Sequence, residues 1–128
     1  MDDIRPRGAL ALQTFAMPAD TNASGDIFGG WLMAQMDLAA TVPARERARG
    51  RVATVAVEAI SFHKPVRVGD LVSIFAEIVR EGTTSMVIEL ETWVTRPEGE
   101  RLRVTEARFI FVALDAQGNK RQLPSLAR

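Results

Sequence analysis

Asp37 stands in a stretch, residues 31–42, where the only other strongly polar residue is Gln35. A carboxylate among such neighbours is costly to bury unless it is paired or used. Two readings stay open. Asp37 is either a solvated member of a narrow polar stripe or an acid or base placed for proton transfer, and its apolar surroundings favour the second. Just upstream, the small-residue run Asn22-Ala23-Ser24-Gly25-Asp26-Ile27-Phe28-Gly29-Gly30 leads into the same stretch. Backbone N–H groups at a helix start are unpaired and lie at the positive end of the helix dipole. They can therefore hold an oxyanion or a phosphate, and glycines let a ligand approach closely. The plainer reading is a capped helix start, with Ser24 or Asp26 as the cap. The run is neither a Walker loop nor a dinucleotide fingerprint, because the lysine and the glycine spacing those require are missing.

Other candidates carry less. His63 is the lone histidine, flanked by Phe62, Lys64 and Pro65. No G-x-S-x-G elbow exists to pair with it, so it reads as a surface or ligand-edge residue. Lys64, Arg80 and the turn Gly82-Thr83-Thr84-Ser85 could contact a phosphate or amide, or simply solvate the end of a strand. With no cysteine and no cluster of ligands, the sequence predicts no metal site and no cofactor.

These residues must be positioned by the elements around them. Residues 31–42 read as a helix that is apolar nearly all round and is stopped by Pro43, so it must be buried on most sides. Residues 8–16 read as a strand before it. Residues 51–62, 68–80, 83–95 and 101–114 read as four strands after it, in a meander. In the third of these, Met86, Ile88, Leu90 and Val94 alternate with Glu89 and Glu91, which predicts a sheet with one wet face. One helix and about five antiparallel strands give an α+β fold, a single domain over residues 1–128 with the sheet wrapped around the helix. Sixteen basic and sixteen acidic residues cancel. No global field draws this chain to nucleic acid or an anionic membrane, so any anion must be held locally. The N-terminus lacks a signal-peptide layout and no apolar run approaches the ~20 residues that span a bilayer, so the cytoplasm is the expected location.

The strings MPADTNASGDIFGGWLMAQMDLAA, GRVATVAVEAISFHKPVRVGD and ARFIFVALDAQG resemble the acyl-CoA thioester hydrolases of the YciA-like branch, which are related to the cytosolic long-chain acyl-CoA hydrolases of animals. The resemblance runs from about residue 10 to residue 124, and N-x-x-G-x-x-F-G-G-x-x-x-x-x-x-D is its most specific element. It implies the hot-dog fold, with residues 28–41 as the central helix. It also implies acyl-CoA as substrate, Asn22 and Asp37 as the catalytic pair, and Gly30 with Gly29 as the oxyanion element. Phe28 stands where a related branch has histidine. The resemblance further implies coenzyme A contacts at His63, Lys64, Gly82, Thr83, Thr84 and Ser85. The implied assembly is a dimer, or a trimer of such dimers.

A thioester carbonyl needs an attacking group and a place for the charge that develops on its oxygen. Asp37 would serve as general base on water or as nucleophile forming a mixed anhydride, with the Gly30 N–H at the oxyanion. A hot-dog dehydratase would need a histidine near the helix, and His63 is far from it in sequence. A non-catalytic acyl-CoA sensor is the alternative from another class, although no helix-turn-helix segment or basic stripe accompanies it. Helix dimensions add one constraint. Gly30 and Asp37 are separated by roughly 10 Å along a single helix. One thioester cannot meet both, so the sequence predicts a site shared between antiparallel helices of a dimer.

Overall fold

The computed structural model describes residues 5–126. Five strands form one antiparallel sheet: β1 (Ala9–Phe15), β2 (Val52–Phe62), β3 (Leu71–Glu81), β4 (Ser85–Thr95) and β5 (Arg101–Ala113). Among the described residues a single α-helix, α1 (Gly29–Ala48), lies between β1 and β2 in sequence and packs against all five strands. A short 3-10 turn, Pro18–Asp20, opens the loop that precedes it.

The sheet order is β1-β3-β4-β5-β2. Only β3, β4 and β5 form the expected meander. β2 pairs with β5 at the far edge, not with β3, because residues 63–70 carry the chain across from one side of the sheet to the other. Both β1 and β2 are therefore edge strands. β1 is held close to β3 at Gly8, whose φ of +87° favours glycine and where a Cβ would lie 2.6 Å from the Ala76 carbonyl oxygen.

α1 runs past Pro43, against the sequence expectation that it would stop there. Proline lacks the N–H for its helical bond, a penalty of roughly 3 kcal/mol in a helix interior. Ala44 and Ala48 continue a buried stripe begun by Leu32, Met36, Ala39 and Ala40, and the packing of that stripe on the sheet offsets the loss. Burying a side chain such as Leu32 or Met36 contributes about 2 kcal/mol. The helix ends where Arg49 turns left-handed at φ 56° and its N–H returns to the Arg45 carbonyl at 2.8 Å.

The expectation of burial on most sides fails within one chain. One sheet covers one stripe, leaving Leu38 55% and Val42 48% exposed. The expectation of a wet outer face also needs correction at β4, which is central and has neighbours on both edges. Glu91 is buried there, accepting a hydrogen bond from the Trp93 ring nitrogen at 3.0 Å, while Glu89 is half-buried against Arg108.

A buried ion pair closes one end of the fold. Asp70 on the 63–70 connection accepts from Arg96 and from the Arg67 N–H at 2.8 Å, and its carbonyl receives the Ala16 N–H at 3.0 Å. Arg96 also donates to the Pro65 carbonyl at 3.4 Å. This ties the loop that begins at Ala16 to the segment carrying His63 and Lys64.

Candidate active site

The loop before α1 is organised by Asn22. Its side-chain oxygen accepts the N–H groups of Ser24 at 2.9 Å and Asp26 at 3.1 Å, and its own N–H reaches the Asp26 carbonyl at 2.7 Å. Asparagine favours this kind of turn because its short side chain mimics a backbone carbonyl. With the oxygen committed, the amide nitrogen is the end left to donate to a ligand. The Phe28 N–H then bonds to the Asp20 carbonyl at 3.0 Å, which fixes where the helix begins.

That beginning has no side-chain cap. Phe28 is the N-cap residue, so Ser24 and Asp26 do not cap the helix; their N–H groups are instead held by Asn22. The first free N–H groups of α1 belong to Gly29 and Gly30. A Cβ at Gly30 would meet nothing within 4 Å, so the backbone there is open to an incoming group. Phe28, Gly29 and Leu32 face Phe62, His63 and Lys64 across a cavity of about 360 Å³. Such unpaired donors at the positive end of a helix suit an oxygen that gains negative charge.

Asp37 lies two turns further along the helix and is half-buried. One of its oxygens accepts a 2.5 Å hydrogen bond from the Thr54 hydroxyl on β2. The register of β2 against β5 shifts between Thr54 and Ala56, and a bulge of this kind re-aims side chains. Thr54 holds one of the two carboxylate oxygens in place. Sequence reading did not single out Thr54, although it is the one hydroxyl in the run Val52-Ala53-Thr54-Val55-Ala56-Val57, the same kind of anomaly as Asp37.

Within one chain the candidates divide into three places. Gly29, Phe28, His63 and Lys64 line the cavity at the helix start. Asp37 is on the helix beside β2. The turn Gly82-Thr83-Thr84-Ser85 sits near the C-terminal end of α1, where Glu81 pairs with Arg47 at 2.7 Å and the Thr83 carbonyl accepts the Leu123 N–H at 2.9 Å. That carboxylate raises the Arg47 pKa. A 20-residue helix is about 30 Å long, so one subunit does not bring this turn to His63 and Lys64. His63 Nε2 is 2.8 Å from Glu106 Oε2 on the outer face of the sheet, away from Asp37. Among the described residues no three carboxylate or imidazole groups converge to hold a metal ion, and no helix is long and apolar enough to cross a membrane.

One long helix cradled by a curled five-stranded antiparallel sheet, with open N–H groups at its start and a pinned carboxylate two turns on, defines the hot-dog architecture. Residues 24–99 match the sequence pattern of the Thioesterase superfamily, and the chain belongs to that family. Over 126 residues it is 54% identical to the acyl-CoA thioester hydrolase YciA of Salmonella typhimurium, covering 95% of each chain. The crystal structure of a hexameric thioesterase from Yersinia pestis superposes with a TM-score of 0.93 at 52% identity, covering 95% of this chain and 100% of that one. An acyl-CoA hydrolase from Staphylococcus aureus, solved in complex with butyryl coenzyme A, matches at a TM-score of 0.81 and 29% identity over 88% of this chain and 70% of that one. Structures of that enzyme also exist for an asparagine-to-alanine and an aspartate-to-alanine variant. The two substituted positions have the same spacing as Asn22 and Asp37.

Proposed function

We propose that this protein hydrolyses acyl-CoA thioesters to the free acid and coenzyme A, at sites each built from two subunits. Asp37 acts as general base on water or as the nucleophile, with Thr54 holding its carboxylate. The Gly30 N–H, assisted by Gly29, stabilises the oxyanion, and the Asn22 amide orients the carbonyl or the water. The thiol of coenzyme A is the leaving group, and neither metal nor cofactor takes part. The observation that carries this reading is the Thr54–Asp37 hydrogen bond, which fixes a carboxylate in an apolar helix far from the open N–H groups it must work with.

The separation of those groups argues for the shared site. Leu38 and Val42 are exposed along the helix, and Val55 (52% exposed) and Val57 (42%) lie on β2, whose outer edge is unpaired among the described residues. Joining β2 to its counterpart about a two-fold axis would satisfy that edge and cover the apolar stripe. It would also lay the two helices antiparallel, with Gly30 and Asn22 of one subunit beside Asp37 of the other. The hexameric state of the Yersinia pestis relative supports a trimer of such dimers. His63, Lys64 and the 82–85 turn are proposed coenzyme A contacts, the turn reaching the substrate from the second subunit.

Thiol release is the direct test. The purified protein should release coenzyme A from a series of acyl chain lengths, at about 1 s⁻¹ or faster for the best of them. Turnover should be unchanged by a strong chelator. Loss of activity on chelation would replace this mechanism with a metal-dependent one. Tight binding without thiol release would make the protein a sensor.

A further inference from the structure

Two cations of this charge-balanced chain that have no carboxylate partner among the described residues converge on one cavity. Lys64 and Arg101, together with His63, Trp93, Leu102 and Arg103, line a space of about 440 Å³ at the end of the β4–β5 hairpin. His63 is engaged by Glu106, and Arg103 lies 3.9 Å from Glu91 and 3.7 Å from Glu106, so carboxylates of the outer face offset both. Among the described residues no ion pair holds Lys64 or Arg101. The Arg101 guanidinium instead lies over the Trp93 ring, 5.4 Å from its centroid. Trp93 is 5% exposed and tethered through its ring nitrogen to Glu91, so it forms a fixed floor. A guanidinium resting on an aromatic face is partly ordered before any ligand arrives, and its planar fork matches a phosphate.

The cavity is also joined to the chemistry. It shares His63 and Lys64 with the cavity at the helix start, whose opposite wall carries Phe28 and Gly29. A ligand whose reactive end reaches the open helix N–H groups could therefore run along His63 and Lys64 to an anionic end above Trp93. With no net charge to steer a multiply anionic substrate, local cations must supply the attraction.

We propose that the pocket of Lys64, Arg101 and Trp93 binds the phosphate-bearing nucleotide end of the coenzyme A thioester. This rests on the acyl-CoA reading above and adds Arg101 and Trp93 to its contacts. Arg101 forms the planar phosphate clamp and Lys64 the second charge, at the junction between the two cavities.

The test compares one acyl group carried on coenzyme A, on dephospho-coenzyme A and on pantetheine, with wild-type protein, Lys64→Met and Arg101→Gln. Both residues are exposed, so melting temperatures should stay near the wild-type value. Each substitution should raise KM for the coenzyme A ester about tenfold, the scale of one charge-assisted hydrogen bond, with less than about a twofold effect on kcat. The same substitutions should raise KM for the pantetheine ester by less than about twofold, since that ester has no phosphate to lose. Titration calorimetry with adenosine 3′,5′-bisphosphate, independent of turnover, should show binding to wild type that weakens in both variants. Unchanged KM and unchanged bisphosphate affinity in the variants would overturn the proposal, as would equal losses on all three esters. If wild type turned over no ester yet bound the bisphosphate through these residues, the pocket would stand and the hydrolase reading would fall.

Discussion

Asp37→Asn should keep its fold and lose at least about 100-fold in kcat, the usual scale for removing a general base. The two side chains are nearly the same size, and the asparagine oxygen can still accept the hydrogen bond from Thr54. What disappears is the second oxygen's capacity to take a proton or attack a carbonyl. Thr54→Val should fall between this variant and wild type, losing about tenfold, because it removes the donor that orients the carboxylate without removing the carboxylate itself. Thiol-release kinetics and thermal melts on the same samples decide the matter. Full activity in Asp37→Asn alongside a shifted melting temperature would make Asp37 a packing or solvated residue.

Inactive subunits should rescue one another. Asn22→Ala removes the side chain that organises the loop before the helix, and Asp37→Ala removes the proposed base; each homo-oligomer should be inactive. If one site takes Asn22 from one subunit and Asp37 from the other, a hybrid dimer carries one intact site and one doubly damaged site. Mixing the two variants after reversible dissociation should restore up to about a quarter of wild-type activity, since half the dimers are hybrids with one working site each under random re-pairing. Wild type carried through the same treatment sets the reference. Verified exchange with no restored activity would mean that each chain completes its own site. The exposed stripe of Leu38 and Val42 and the open edge of β2 would then need a different explanation.

Much of the molecule is legible in its residues because local rules govern it. Period-two alternation marked the strands, Asn22 to Gly30 marked a loop entering a helix, and Asp37 stood out by its cost in an apolar stretch. The spacing of Gly30 and Asp37 along one helix is the ground for the shared site proposed above. Where local rules met tertiary competition, the structure decided. Pro43 is a helix breaker by propensity, yet α1 continues to Ala48 because the alanines beyond it pack on the sheet. The simple meander gave way to β2 at the far edge, because strand order depends on where residues 63–70 can carry the chain and not on the pattern within any strand. Glu91 read as wet from its alternation and is buried, since β4 lies in the middle of the sheet and Trp93 and Arg103 supply its partners. Thr54 of β2 meets Asp37 of α1, and Lys64 of the 63–70 connection shares a cavity with Arg101 of β5, although each pair is distant in sequence. Their pairing was invisible until the fold brought them together, because a hydrogen bond or a charge cluster is set by distance in space, while sequence pattern records only distance along the chain.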